Sequence, residues 1–298
     1  MASLAWVDAF LRAEGLPPGY RALIERVHAP LAARIAERLR SGHGRAAGPA
    51  GASHRPFVVG LCGPQGSGKS TLVASLRHLL QERALHVAVL SLDDLYLTRA
   101  ERAALAHRVH PLLATRGVPG THDVALGLEV IRRLGGPGAV ALPAFDKARD
   151  ERRPDAQWPR VTAPVDLLLF EGWCVGARPQ PDEALAAPVN ALEREEDPDG
   201  RWRRYVNAAL AGPYQALFAT IDELVLLAAP GFDAVCGWRL QQERKLRERL
   251  AAQGGDTSAL MDEQRLARFI QLFERLTRYI LAEMPGRAHV VIPVQRCD

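Results

Sequence analysis

The sequence predicts an α/β fold, a parallel sheet flanked by helices with an N-terminal helical extension and a lid-like insertion. Three observations carry it: short apolar runs alternate with helix-period segments, a glycine-rich loop joins the first run to a helical pattern, and 298 residues suit one large α/β domain with an appendage.

Taken in order, residues 3–14 and 17–41 read as two helices. In the second, Tyr20, Leu23, Ile24, Val27, Leu31, Ile35 and Leu39 recur at spacings of three and four, with arginines across much of the other face. That pattern describes an amphipathic helix docked on a larger body, the alternative being an arm for a partner or nucleic acid. Residues 1–41 are therefore the N-terminal helical extension, residues 42–55 a Gly/Ala/Pro-rich linker without periodicity, and residues 56–298 the main domain.

Within the main domain, apolar runs lie at 57–62, 86–92, 139–145, 165–172, 223–229 and 289–294. Helical patterns lie between them at about 69–83, 98–107, 122–135, 201–220, 233–252 and 261–284. Strands separated by helices in this way close into a parallel sheet covered on both faces. Residues 174–200, with four prolines and the acidic stretch EREEDPDG, are irregular and predict the mobile flap.

Composition limits the function classes. A hydrophobic share of 48% against 24% charged residues excludes wholesale disorder, and a net charge of +4 spread over 298 residues gives no argument for nucleic acid. Of the 38 basic residues only Lys69, Lys147 and Lys245 are lysines, which marks each as a place where a compact ammonium is wanted over a guanidinium. Cys62, Cys174, Cys236 and Cys297 are widely spaced and predict neither a zinc site nor a disulfide framework. The first residues do not read as a secretory signal and no apolar run is long enough to span a bilayer, so a cytoplasmic protein without a membrane partner is expected.

The segment FVVGLCGPQGSGKSTLVASL satisfies G-x-x-x-x-G-K-[ST] between a strand and a helix. Its residues are Gly63, Pro64, Gln65, Gly66, Ser67, Gly68, Lys69, Ser70 and Thr71. Glycines let successive backbone N–H groups turn toward phosphate oxygens, and the following helix adds its positive end. Lys69 is placed to reach the β- and γ-phosphates and the Ser70 hydroxyl to ligate Mg²⁺, so ATP and Mg²⁺ are the expected cosubstrate and cofactor.

Two carboxylate positions follow. SLDDLYL puts Asp93 and Asp94 beyond the carboxyl edge of the second strand, where Asp93 is the candidate to orient an acceptor hydroxyl and take its proton; a capping role for the pair is the alternative. VDLLLFEGW ends in Glu171, placed to face Mg²⁺ as the acid of a Walker B strand does. Asp146, Lys147, Arg149 and Arg152 in LPAFDKARDER suit an anionic substrate, while in RGVPGTHD Arg116 can pair with an anion and Thr121 or Asp123 can cap the next helix.

With GPQGSGKST, SLDDLYLT, HPLLATRGVPGTHD, LPAFDKARDER, LLLFEGW, the acidic stretch at 190–197 and GWRLQQE in place, the chain from about residue 56 resembles the D-glycerate 3-kinase family. That family sits among the P-loop kinases related to phosphoribulokinase, uridine kinase and pantothenate kinase. The resemblance implies a P-loop NTPase fold and phosphoryl transfer from Mg²⁺–ATP to the 3-hydroxyl of D-glycerate. It implies Lys69, Asp93 and Glu171 as catalytic residues, Ser70 and Glu171 at the metal, and Arg239 among the nucleotide contacts. It also implies Asp94, Tyr96, Arg116, His122, Asp146, Lys147 and Arg152 as acceptor contacts, with Phe145 where related kinases carry Tyr. Two other readings compete: a kinase of the same fold acting on a nucleoside, pantothenate or a sugar phosphate, and a non-catalytic nucleotide-dependent binding protein.

Overall fold

Five of the six apolar runs become strands of one sheet. The structure, a computed structural model, describes residues 6–42, 55–252 and 262–294. In chain order the strands are β1 (Phe57–Cys62), β2 (Val87–Ser91), β3 (Gly138–Ala141), β4 (Phe145–Asp146), β5 (Glu151–Arg152), β6 (Arg160–Ala163), β7 (Leu167–Gly172), β8 (Glu223–Ala228) and β9 (Val290–Pro293). The main sheet runs β2-β7-β1-β8-β9 with every pairing parallel. All five carboxyl ends therefore meet along one edge, with β1 at the centre.

Residues alternate cleanly between the faces, as a strand buried on both sides requires. Val58, Leu90, Leu168, Phe170, Leu224 and Leu226 join one cluster with residues of the helices Val124–Leu134, Pro213–Phe218 and Glu263–Glu283. Phe57, Val59, Leu61, Leu167, Leu169, Val225 and Leu227 join the other, facing Leu72, Leu76 and Leu79 of the helix Lys69–Gln81.

The second cluster also takes in Leu31, Ala32, Ile35, Ala36 and Leu39, so the N-terminal helix Ala29–Arg40 completes a layer of the core. The helices at 7–14 and 20–40 match the predicted pair, with one wider π-turn at Ile24–His28. Glu223, at the start of β8, is fully buried and its two carboxylate oxygens meet Arg34 Nε at 2.8 Å and Arg38 Nε at 3.1 Å. Burying a carboxylate without such partners would cost several kcal/mol, so the helix is electrostatically as well as apolarly committed to the sheet. The expected linker falls on residues that lie, from 43 to 54, outside the described ones.

Three expectations are corrected. The run at 139–145 does not join the main sheet: Pro143 interrupts it, β3 pairs antiparallel with β6, and β4 with β5. β3 has two exposed residues of four, unlike the strands buried on both faces. The helix expected at 201–220 is two, Arg201–Ala211 and Pro213–Phe218, because Gly212 and Pro213 break it. The 174–200 stretch does not hang free as a flap. Glu193 is bound by Arg275 at 2.6 and 2.7 Å and Asp197 by Arg203 at 2.9 Å, all four side chains being buried.

Beneath the helix Lys69–Gln81, the buried His28 Nδ1 lies 2.5 Å from Ser75 Oγ, and burial pushes its pKa down from 6.5 to about 4. The folded state thus holds His28 neutral where the unfolded chain takes up a proton. The resulting stability is intact above pH 6.5 and lost as pH falls toward 4, by up to about 3 kcal/mol. Urea denaturation of wild-type and His28→Gln protein at pH 7.5 and 4.5 should give a smaller pH-linked loss in the variant.

Candidate active site

The loop leaving β1 bends back on itself through Gly66 (φ 79°) and Gly68 (φ 85°), conformations that side chains rarely adopt. At Gly66 the space is also closed, since a Cβ would lie 2.9 Å from Trp238 Cβ. Ser67 N–H donates to the Pro64 carbonyl at 3.2 Å and Lys69 Nζ donates to the same oxygen at 3.1 Å. The helix Lys69–Gln81 starts immediately after, aiming its free N–H groups into the concavity. The buried Ser67 hydroxyl has no hydrogen-bond partner within the protein. A polyphosphate fits this cradle: free backbone donors, an ammonium and unspent hydroxyls converge where no Cβ intrudes.

Glu171 stands at the end of β7, in register with Leu61 of β1 and Ser91 of β2. Its Oε1 accepts from Ser91 Oγ at 2.8 Å, which aims the carboxylate along the sheet edge beside the cradle. Among the described residues no group of three His, Cys, Asp or Glu could hold a metal. A divalent ion here would take the exposed Ser70 hydroxyl and Glu171 and complete its shell with phosphate oxygens and water, the coordination Mg²⁺ favours.

At the end of β2 a 3-10 turn, Leu92–Leu95, presents the second pair of carboxylates. Asp93 accepts from Lys147 Nζ at 2.6 Å on Oδ2 and from Tyr96 OH at 2.7 Å on Oδ1. Burial raises its pKa, but the Lys147 ammonium and these two hydrogen bonds outweigh it and hold the carboxyl below its ordinary value. Asp94 accepts from Phe145 N–H at 3.0 Å, tying β4 to the sheet edge. Burial pushes its pKa up, against that hydrogen bond.

Tyr96 stacks on His122 with centroids 4.7 Å apart and meets Phe145 edge-on at 5.2 Å. His122 Nδ1 lies 2.6 Å from the Tyr214 hydroxyl, which accepts in turn from Gly120 N–H at 2.9 Å. Burial lowers the His122 pKa to about 4 despite the nearby Asp93, and its Nε2 is buried without a partner. A neutral imidazole therefore stacks on Tyr96, whose hydroxyl is bound to Asp93.

The structure brings Asp93, Asp94, Tyr96, His122, Lys147 and Glu171 to the same sheet edge as the cradle, and the other expected acceptor contacts, Arg116, Arg152 and Asp146, are each engaged by protein groups beside them. Arg116 binds Asp150, a residue that also binds the buried Arg102 at 2.7 Å, and both guanidinium groups lie over the Phe145 ring at 5.5 and 5.7 Å. Arg152 donates to the Tyr96 carbonyl at 2.9 Å and to Asp123 at 3.4 Å, and so supports Tyr96 from behind. Asp146 accepts from Ala148 and Arg149 N–H at 3.0 and 3.1 Å and shapes its own loop. Arg239 follows Trp238, the residue packed on Gly66, in the helix Phe232–Ala252.

Sequence reading did not identify Ser91, Arg102, Asp150, Tyr214 or Trp238 as members of this constellation. Arg102 lies in a stretch rich in charge and looks like any solvated helix residue, and Tyr214 joins the site only because its helix packs against the loop before His122. Trp238 did carry a signal, the GWRLQQE segment, but nothing in its spacing shows that it touches the loop.

Comparison with known proteins agrees with this geometry. Residues 58–177 match the Phosphoribulokinase / Uridine kinase family. The chain is 38% identical over 205 residues to the Schizosaccharomyces pombe protein described as uncharacterized kinase mug58, covering 66% of this chain and 73% of that one. It is 34% identical over 204 residues to the chloroplastic D-glycerate 3-kinase of Arabidopsis thaliana, covering 65% of this chain and 42% of that one. Among solved structures, the D-glycerate 3-kinase of Cryptococcus neoformans var. grubii superposes with a TM-score of 0.66 at 27% identity, covering 86% of this chain and 88% of that one.

Gly66→Ala combines a positive φ with the contact to Trp238, each unfavourable for a side chain. The variant should lose about 1–3 kcal/mol of stability. It should also bind ATP more weakly. Thermal melts with and without ATP check both: a wild-type melting temperature and a wild-type ATP-induced shift would show that the loop tolerates the methyl group.

Proposed function

Because the chain belongs to the D-glycerate 3-kinase family of P-loop kinases, we propose that it transfers the γ-phosphoryl group of ATP to the 3-hydroxyl of D-glycerate, giving 3-phosphoglycerate. The observation that carries this reading is the contact between Asp93 Oδ2 and Lys147 Nζ at 2.6 Å on the sheet edge beside the cradle. A carboxylate base and an exposed ammonium, side by side, suit an acceptor that carries a hydroxyl and a carboxylate a few bonds apart. A nucleoside offers no anion for Lys147.

In this reading the free backbone N–H groups of the loop and of the first turn of the helix Lys69–Gln81, with the Lys69 ammonium, hold the phosphates and offset the charge that builds on them during transfer. A Mg²⁺ held by Ser70 and Glu171 would supply further neutralisation at the phosphate oxygens. Asp93 orients the acceptor hydroxyl and takes its proton, and Tyr96, hydrogen-bonded to Oδ1, fixes the plane of that carboxylate. Arg152 and His122 act behind Tyr96: one binds its carbonyl, the other stacks on its ring. Arg239 is assigned to the nucleotide side through its neighbour Trp238. No helix among the described residues is long and apolar enough to cross a membrane. Cys62, Cys174 and Cys236 are free thiols, which suits a reducing compartment such as the cytoplasm.

Two measurements test the proposal. ADP release with Mg²⁺–ATP should depend on D-glycerate and not on L-glycerate, uridine, pantothenate or ribulose 5-phosphate. Turnover of another of these alone would keep the fold and the cradle and replace the substrate. Lys69→Ala should lower kcat by about 10²-fold or more. Asp93→Asn should lower it by about 10²–10⁴-fold with the KM for ATP nearly unchanged; full activity in Asp93→Asn would remove Asp93 from the role of base.

A further inference from the structure

A kinase whose base is free beside bound ATP can activate water in place of its acceptor, and ATP is then hydrolysed to no purpose. Both oxygens of Asp93 are engaged within the protein, Oδ1 by Tyr96 and Oδ2 by Lys147. The two contacts differ in kind. Tyr96 is buried, stacked on His122 and held by Arg152 through its carbonyl, so its hydroxyl cannot easily leave. Lys147 reaches in from the exposed turn between β4 and β5, with 61% of its side chain open to solvent.

The backbone of that turn is nevertheless fixed. Arg116 donates to the Lys147 carbonyl at 3.3 Å, Arg116 is itself bound to Asp150, and Asp146 accepts two N–H groups of the same turn. Only the lysine side chain is therefore at liberty to swing. Its position is also the one place in the described acceptor region where this arginine-rich chain keeps a lysine. A guanidinium would bind Asp93 through two parallel hydrogen bonds, whereas an ammonium is a single point charge that transfers readily to another anion.

We infer that Lys147 guards the base: it masks Asp93 Oδ2 until an acceptor carboxylate draws the ammonium away, so that an anionic acceptor unmasks the group that activates its own hydroxyl. This rests on the proposed role of Asp93 and deepens it. Once Lys147 has moved to the acceptor carboxylate, Asp93 Oδ2 takes the proton of the acceptor hydroxyl. The hydroxyl oxygen bonds to the γ-phosphorus, the bond from that phosphorus to the β,γ-bridging oxygen breaks, and ADP leaves with the electron pair. The acceptor's charge thus becomes a condition of catalysis, beyond its contribution to binding.

The test measures ATP hydrolysis without acceptor, and kcat/KM for D-glycerate and for glycerol, which has the hydroxyls without the carboxylate. The proteins are wild type, Lys147→Met, Lys147→Arg and the double variant Lys147→Met/Asp93→Asn. Lys147→Met should raise acceptor-free hydrolysis about tenfold or more and narrow the preference for D-glycerate over glycerol by at least as much. The double variant should bring hydrolysis back to the wild-type level or below, because the new route runs through Asp93. Lys147→Arg keeps the mask and should hydrolyse no faster than wild type while losing D-glycerate turnover, since the fork releases Asp93 less readily. Unchanged hydrolysis in Lys147→Met overturns the inference, as does hydrolysis that persists in the double variant. Failure of wild-type protein to phosphorylate D-glycerate would instead overturn the substrate assignment, and the hydrolysis measurements would still judge the guard. The side chain is exposed, so the single variants should melt within a few degrees of wild type.

Discussion

Everything at the site depends on one constraint: parallel strands buried on both faces must end together on one edge. β1 lies between β7 and β8, β7 lies between β1 and β2, and the register that pairs Leu61 and Ser91 with Glu171 brings three loops within reach of one another. One loop carries unspent N–H groups, the next an acid beside them, the third a pair of carboxylates. None of these needs its own scaffold. The apolar alternation that buries Val58 and Leu168 on one face and Val59 and Leu169 on the other also fixes which side chains reach the edge.

Much of this could be read from residue order. Apolar runs buried on both sides are continuous, so the five strands of the main sheet announced themselves, and the glycine spacing of the loop after β1 reflects backbone angles that few other residues adopt. The exception is informative: AVALPAF is as apolar as the other runs, but Pro143 and exposure at one end turn it into a hairpin strand off the main sheet. The first and second halves of the site also differed in legibility. Phosphate contacts come from consecutive residues and leave a local pattern. The groups around the proposed acceptor side come from positions 93–96, 116–123, 145–152 and 214, and their pairing is decided by packing alone.

Charge placement explains why so many of the arginines are engaged within the protein. Arg102, Arg203 and Arg275 are buried yet each meets a carboxylate, and Arg116 shares Asp150 with Arg102. These pairs fix loops, and removing one partner would leave an uncompensated charge in the interior. The 174–200 stretch illustrates the point: its composition resembles a flap, yet Glu193 and Asp197 anchor it like core residues. An acidic, proline-rich segment is open to solvent only if its acids lack buried partners, and sequence does not reveal who those partners are.

The layer completed by the helix Ala29–Arg40 has a consequence for how the chain is made. Arg34 and the Glu223 it neutralises are separated by 189 positions. At translation speeds of about 5–20 residues per second, that helix waits roughly 10–40 s before β8 leaves the ribosome. Until then the layer that Leu31, Ile35 and Leu39 share with Val225 and Leu227 stays open at β8, although β1, β2 and β7 have already been made. This amphipathic segment is therefore synthesised well before the strand that completes its partner layer. Vectorial synthesis thus delays the closing of this layer until β8 is made.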